Sequence, residues 1–359
     1  MKNILVLNSG SSSIKYKLFN SIDFSVERAG VIKEVASFTQ AFDKLFEIID
    51  ISQIEYFGHR VVHGGEYFNT PTVITQDVIS KIEELIPLAP LHNPSNLDGI
   101  NHIYNFKPEA KQVAVFDTAF HTSIAKERYL YPLPMQFYEE NHIRKYGFHG
   151  TSYSYILKEA AIYLNKKPHE LTIIALHLGN GASACAIKNG KSYDTSMGFS
   201  PLAGLMMGSR SGSIDPTIIH YLEHHGLNND EVFDILNHKS GFLGISGKSN
   251  LVEILKEYHN NKEYAVLAIN MFVDRVKKYI GGYKEILGGI DAIVYTGGIG
   301  ENGTLIRELI TPNIDTVANQ QTCNTILDIS SNKTSYKTLV IKTDEELEIA
   351  QQTYQTLKG

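Results

Sequence analysis

The chain contains no tryptophan and only two cysteines, Cys185 and Cys323, among its 359 residues. So few thiols exclude both a disulfide framework and a cysteine metal site. No apolar run reaches 18 residues, so no membrane-spanning helix is expected. No secretory leader is expected ahead of the strand that follows Met1-Lys2-Asn3. Basic runs are equally scarce. None exceeds Lys277-Lys278, and a formal charge of -6 argues against a nucleic-acid partner. What remains, 43% hydrophobic and 20% charged, is the composition of an ordinary globular enzyme, with a cytoplasmic location the expectation. The length exceeds what one core usually supports, so two domains are expected.

Against this plain background stand three turns suited to phosphate: Asn8-Ser9-Gly10-Ser11-Ser12-Ser13, Leu178-Gly179-Asn180-Gly181-Ala182-Ser183 and Thr296-Gly297-Gly298-Ile299-Gly300-Glu301-Asn302. Each follows a β-branched apolar run that reads as a buried strand: Ile4 to Leu7, Ile173 to Leu176, and Ile293 to Tyr295. Glycine lets backbone amides approach an anion closely, and the hydroxyls add donors. One such loop is only a turn. Three, spread over the chain, point to a polyphosphate ligand.

Tyr16 to Phe19 is expected to pair antiparallel with the first strand, and the same strand–turn–strand plan recurs from Thr172, where Lys188-Asn189-Gly190-Lys191 predicts a type I′ hairpin. The recurrence suggests an internal duplication of α/β lobes, with a boundary between Asp117 and Tyr153. Other strands are expected at Gln112–Phe116, Asp291–Tyr295 and Thr338–Ile341. Helices are expected at Asp77–Leu88, Pro94–Tyr104, Ser152–Leu164, Thr304–Ile310 and Glu345–Leu357, and from Asp215-Pro216 to His225. A long helix spans Lys262–Leu287, burying Ala265, Val266, Ile269, Phe272, Val273, Val276 and Ile280.

Chemistry concentrates in a few segments. Gly58-His59-Arg60-Val61-Val62-His63-Gly64-Gly65 lacks the glutamate of a zinc H-E-x-x-H, and its alternation predicts a strand with Arg60 and Val62 on one face. A cation beside a small apolar wall suits a short carboxylate; alone, an edge-strand arginine would be the plainer reading. Asp117 closes a strand where open α/β sheets hold catalytic groups. Arg210 sits between glycines and, if buried, needs an acid or an anionic ligand; Asp117 is a candidate partner. Thr343-Asp344-Glu345-Glu346 is either an ordinary acidic helix start or a carboxylate aimed at Mg²⁺ on phosphate.

Together these segments closely resemble the acetate kinase family, within the acetate and sugar kinase, heat-shock-protein and actin superfamily. The resemblance runs in order through NSGSSSIK, GHRVVHGG, APLHNP, VFDTAFH, YGFHGTS, HLGNGAS, DTSMGFSPLAGLMMGSRSG, TGGIGEN and TDEE. It implies an α/β fold of two duplicated ribonuclease-H-like (actin-like ATPase) lobes with the active site in the cleft between them, usually as a homodimer. The implied division is 1–120 plus 347–359, an acyl-kinase lobe, and 121–346, a nucleotide-binding lobe. The implied reaction is reversible, Mg²⁺-dependent, direct in-line transfer between ATP and acetate, with Mn²⁺ an alternative ion. By position, Arg60 and Arg210 bind carboxylate and clamp the phosphoryl, His149 stabilises it with Arg210, and Asp117 orients Arg210. Asn8 and Glu345 organise the metal. Val62, Leu91, Phe148 and Pro201 form the methyl pocket. Ser12, Lys15, His177, Asn180, Gly181, Gly298, Ile299 and Asn302 bind ATP. Three departures stand out. The chain is about 40 residues shorter than a typical member, chiefly between Phe19 and Arg60, where first-lobe loops tolerate deletion. Tyr153 replaces a histidine, and Ser249-Asn250-Leu251-Val252-Glu253 lacks the family's usual acid and arginine of the adenosine pocket. Loss of that acid and arginine points either to relaxed nucleotide selectivity or to a shifted donor such as pyrophosphate; the intact Gly297-Gly298-Ile299-Gly300 leaves room for adenosine, so ATP is the expected donor. Propionate or butyrate is the alternative acceptor, and an actin-like assembly protein would not need Arg60, His149 and Arg210 together.

Overall fold

The computed structural model describes residues 3–10, 13–33, 38–323 and 325–358, with the backbone alone at Phe38. They pack into two compact units. One comprises Met1–Thr122, Phe148–Tyr155 and Asp344–Gly359, the other Ser123–Gly147 and Ile156–Thr343. The expected division left 148–155 and 344–346 with the second lobe; packing assigns both to the first. One backbone and one side-chain contact explain why. Gly150 N–H bonds the Asp117 carbonyl at 3.0 Å, and buried Glu346 is ion-paired with Lys15 at 2.7 Å.

The first unit holds β1 (Asn3–Gly10), β2 (Ser13–Asn20), β3 (Val26–Lys33), β4 (Tyr56–Val61), β5 (Thr72–Val73) and β6 (Lys111–Phe116), ordered β3-β2-β1-β4-β6-β5. β1 is apolar on both faces because both are covered. Leu5 and Leu7 pack with Phe42, Leu45 and Ile103 from helices Phe38–Ile48 and Asn93–Phe106. Ile4 and Val6 pack with Val113, Val115, Ile349 and Ala350, the last two from helix Glu345–Lys358. β1 pairs antiparallel with β2 and parallel with β4, and β4 runs parallel to β6.

The second unit repeats this plan. β7 (Ile173–Leu178), β8 (Ala182–Lys188), β9 (Lys191–Thr195), β10 (Ala292–Thr296), β11 (Ile326–Asp328) and β12 (Lys337–Ile341) are ordered β9-β8-β7-β10-β12-β11. In each sheet an antiparallel trio adjoins two further parallel strands and ends in an antiparallel edge. The duplication expected from pattern is therefore present strand for strand. Asn189 (φ 51°) and Gly190 (φ 71°) have the positive φ that a type I′ turn demands. Helix Glu263–Leu287 buries its expected stripe, except that Val266 is only partly covered and Ala268 is buried instead.

Several expectations need correction. β1 continues through Asn8 and Ser9 to Gly10, so most of the first phosphate turn is strand. Ser11 and Ser12 lie outside the described residues. Gly297–Asn302 forms a short helix directly after β10 rather than an open turn. Pro216 stands one place before helix Thr217–His224. Arg60 and Val62 do not share a strand face, because β4 ends at Val61.

His59 on β4 and His63 just beyond it are buried. Burial pulls His59 down to about 4, with Gln112 opposing, and pulls His63 down to about 3. Both are neutral when folded, whereas the unfolded chain takes up protons near the ordinary value of 6.5. Stability is therefore fully present above pH 6.5 and lost as pH falls toward 4, the His59 shift alone being worth roughly 3 kcal/mol. Chemical unfolding measured from pH 7 to 4 should show this loss, and His59→Leu should flatten the slope.

Candidate active site

In the first unit the parallel register sets Arg60 opposite Val115 and Val61 opposite Phe116, so Arg60 and Asp117 emerge at the same end of the sheet. Asp117 is fully buried, and its N–H donates to the Val61 carbonyl at 3.0 Å. Its carboxylate accepts from Arg60 Nε at 3.1 and 3.2 Å, from Arg60 Nη2 at 2.5 Å, and from Thr151 Oγ1 at 2.7 Å. Arg60 Nη1 donates to Asn8 Oδ1 on β1 at 3.3 Å. Burial disfavours the guanidinium charge, but Asp117, Glu345 and Glu346 outweigh it and hold Arg60 above its ordinary range. About a fifth of the Arg60 side chain remains exposed.

Glu345 begins helix Glu345–Lys358, and its carboxylate makes no hydrogen bond or ion pair among the described residues. Burial pushes it above the usual carboxylate range against the pull of Arg60, and nearby Asp117 and Glu346 add to the effect. Such a group gains from a cation. No cluster of three or more histidine, cysteine, aspartate or glutamate side chains fit to hold a metal occurs among the described residues. Mg²⁺ nevertheless fits, since it dehydrates reluctantly and needs only one or two protein oxygens beside water and phosphate; Glu345 and Asn8 can supply them.

His149 has a φ of 60°, unusual for a residue with a Cβ, and precedes helix Gly150–Tyr163. The next position must be glycine: a Cβ on Gly150 would lie 2.1 Å from the Asp117 carbonyl oxygen. The Phe148 carbonyl accepts from His121 Nε2 at 2.9 Å, and the buried Phe148 ring meets His63 edge-on at 5.6 Å. Val62 is buried, whereas Leu91 is exposed. Lys15, expected at phosphate, is engaged by Glu346.

Side chains rather than a strand partner hold the segment after Arg60. Asn96 Oδ1 accepts from Val62 N–H at 3.0 Å, Asn93 Oδ1 from His63 N–H at 3.1 Å, and Thr118 Oγ1 from Gly64 N–H at 2.9 Å. Asn96 also reaches the Ser9 carbonyl at 2.8 Å. Pattern reading does not single out Asn93, Asn96, Thr118 or Thr151. The available signal for the first two is their i, i+3 spacing on the helix containing Pro94, which puts them on one face.

The second unit contains a cavity of about 480 Å³ lined by four of the candidate ATP-binding residues, Asn180, Gly298, Ile299 and Asn302, and by Gly208, Phe242, Leu251 and Val252 among others. A Cβ at Gly297 (φ 75°) would lie 2.8 Å from the Leu178 carbonyl oxygen, so glycine lets the 297–302 helix start tightly against β7. His177 and Gly181 sit on β7 and on the turn leading toward this cavity. Beyond Pro201, the chain reaches Arg210, whose guanidinium makes no hydrogen bond or ion pair among the described residues. Burial pulls its pKa down. The expected partner of Arg210, Asp117, belongs to the first unit and is taken by Arg60.

The acetokinase family model matches residues 29–351. An acetate kinase of Sulfurimonas denitrificans is 46% identical, with 97% of each chain covered. The crystal structure of Porphyromonas gingivalis acetate kinase superposes with a TM-score of 0.94 at 38% identity, covering 100% of both chains. A propionate kinase of Francisella tularensis also gives 0.94 at 38% identity, covering 99% of this chain and 100% of its own.

Gly150→Ala should destabilise the fold by more than about 3 kcal/mol, because backbone at 2.1 Å must move. Denaturant unfolding measures this, and a change under about 0.5 kcal/mol would contradict the packing described.

Proposed function

The chain belongs to the acetokinase family, and we propose that it catalyses reversible phosphoryl transfer between ATP and acetate, giving ADP and acetyl phosphate. The observation that carries this reading is Arg60: a guanidinium fixed by a buried carboxylate, partly exposed, with apolar Val62 two residues on. We assign the carboxylic acid chemistry to the first unit and the nucleotide to the second.

Arg60 orients the acetate carboxylate, and Val62 and Phe148 supply apolar wall for its methyl group. Arg210, half-buried and without an ion pair among the described residues, takes the transferring phosphoryl, and His149 donates to that group's equatorial oxygens. A metaphosphate-like transition state asks for positioning and positive charge, so no covalent enzyme intermediate is needed. Asp117 acts through Arg60, holding the guanidinium in one orientation. Asn8 and Glu345 would hold Mg²⁺, or Mn²⁺ in its place, which when bound neutralises charge on phosphate oxygens.

ATP's adenosine goes to the 480 Å³ cavity, whose lining includes Leu251, Val252, Leu255 and Ile299 and, among the described residues, no charged side chain. Apolar contact and neutral amides discriminate bases weakly, so GTP should also serve. Propionate is a second acceptor, favoured by the similarity to the Francisella propionate kinase. One methylene in an apolar pocket changes selectivity by only about 1–3 kcal/mol. Homodimerisation is supported by helix Thr217–His224, which buries no residue and exposes Ile218, Ile219 and Tyr221. No helix among the described residues is long and apolar enough to cross a membrane; we assign the enzyme to the cytoplasm, where ATP and acetate meet.

Acetate-dependent ADP release tests the reading. Wild type should turn over with ATP and, within about tenfold, with GTP, but not with pyrophosphate. Arg60→Ala and Arg210→Ala should each lose roughly 10³–10⁵-fold in rate with unchanged circular dichroism. Wild-type rates in either variant, or a preference for pyrophosphate, would overturn the assignment.

A further inference from the structure

A second cavity of about 330 Å³ lies in the same unit, lined by Met206, Ser211, Ile214, Lys239, Ile245, Met271, Arg275 and the glycine-rich start of helix Gly241–Ser246. It shares a wall with the nucleotide cavity. Gly208 and Phe242 line the first, while Met206, Ser211 and Gly241 line the second. The wall is stitched by Phe242 N–H to the Met207 carbonyl at 2.9 Å, Leu243 N–H to the Gly208 carbonyl at 2.9 Å, and Ser240 N–H to the Ser209 carbonyl at 2.9 Å. Arg210 is carried in that wall, and its carbonyl accepts from Met207 N–H at 3.0 Å.

The chemistry of the second cavity is one-sided. Met206, Ile214, Ile245 and Met271 make an apolar interior, with flexible methionines at two positions. Lys239 is largely exposed and ion-paired with Asp234 at 2.5 Å. Arg275 donates to the Met271 carbonyl at 3.2 Å and has no carboxylate in ion-pair contact among the described residues; its neighbour Asp274 is paired with Lys278 at 2.8 Å. Among the described residues no acidic side chain lines the cavity. A cation at the edge of an apolar volume of this size fits an amphipathic anion.

We propose that this cavity is an effector site for an organic monocarboxylate with an apolar body of about six to eight carbons, its carboxylate on Arg275 and its chain among the methionines. Occupancy acts through the shared wall on Arg210 and the nucleotide cavity. The site is separate from the one proposed for acetate, and only its effect on turnover rests on the kinase reading.

Octanoate is the probe, titrated by calorimetry into the full-length protein, with octan-1-ol as the neutral control. Saturable binding is expected, at least tenfold weaker for octan-1-ol and in Arg275→Met, restored in Arg275→Lys, and retained in Arg60→Ala. Arg275→Met should keep wild-type basal turnover, and octanoate should change kcat/KM for ATP by about fivefold or more in wild type only. The proposal is overturned by absence of saturable binding, by undiminished binding in Arg275→Met, by binding lost in Arg60→Ala, or by binding that leaves turnover unmoved. Failure of the kinase reading would instead appear as no acetate-dependent ADP release before octanoate is added.

Discussion

The ion pair between Arg60 and Asp117 organises the first unit's candidate site. Asp117 is wholly buried, and every polar group it has is used: amide to Val61, carbonyl to Gly150, carboxylate to Arg60 and Thr151. It thereby ties β4, β6 and the helix behind His149 into one rigid corner. Removing one partner of a buried pair is costly, typically 3–5 kcal/mol, because the other charge is left uncompensated. The pair is better understood as an orienting device than as a source of stability. Arg60 keeps its charge through its acidic neighbours and presents a fixed fork, while the nearby Glu345 carboxylate makes no hydrogen bond among the described residues.

The two units show how one plan can serve two tasks. Their sheets have the same strand order and the same mixture of parallel and antiparallel neighbours. In the first, the strand ends carry polar and charged groups: the Asn8 amide on β1, Arg60 on β4, Asp117 after β6. In the second, the corresponding region carries glycine and amide groups around a cavity with no charged lining. On the proposed assignment, a site for a small charged acid and a site for a large, mostly neutral nucleoside call for these opposite linings. Function resides in the side chains placed on the repeat, not in the repeat itself.

Much of this was legible in the amino-acid order. Continuous β-branched runs mark β1, β7 and β10 because both faces of those strands are covered. β3 leaves no mark for the opposite reason: it exposes most of its residues, so no clear period shows; helix Phe38–Ile48 does carry a periodic apolar stripe of Ala41, Phe42 and Leu45, which motif reading passes over. Motif positions located Arg60, Asp117, His149 and Glu345. They could not show that Asp117 serves Arg60, because that pairing depends on the register of β4 against β6. Nor could alternation reveal that β4 stops at Val61, since the groups that capture Val62, His63 and Gly64 come from Asn96, Asn93 and Thr118, some 30 to 54 residues away. Local pattern reports local structure; long-range side-chain capture leaves little trace in it.

The orienting role of Asp117 can be measured directly in Asp117→Asn, which keeps the size and the Thr151 and backbone contacts but removes the charge that fixes Arg60. The account predicts a folded protein whose kcat for acetate phosphorylation falls by at least about 10²-fold, the usual consequence of a misplaced reacting group. A folded Asp117→Asn enzyme with wild-type kcat would contradict it.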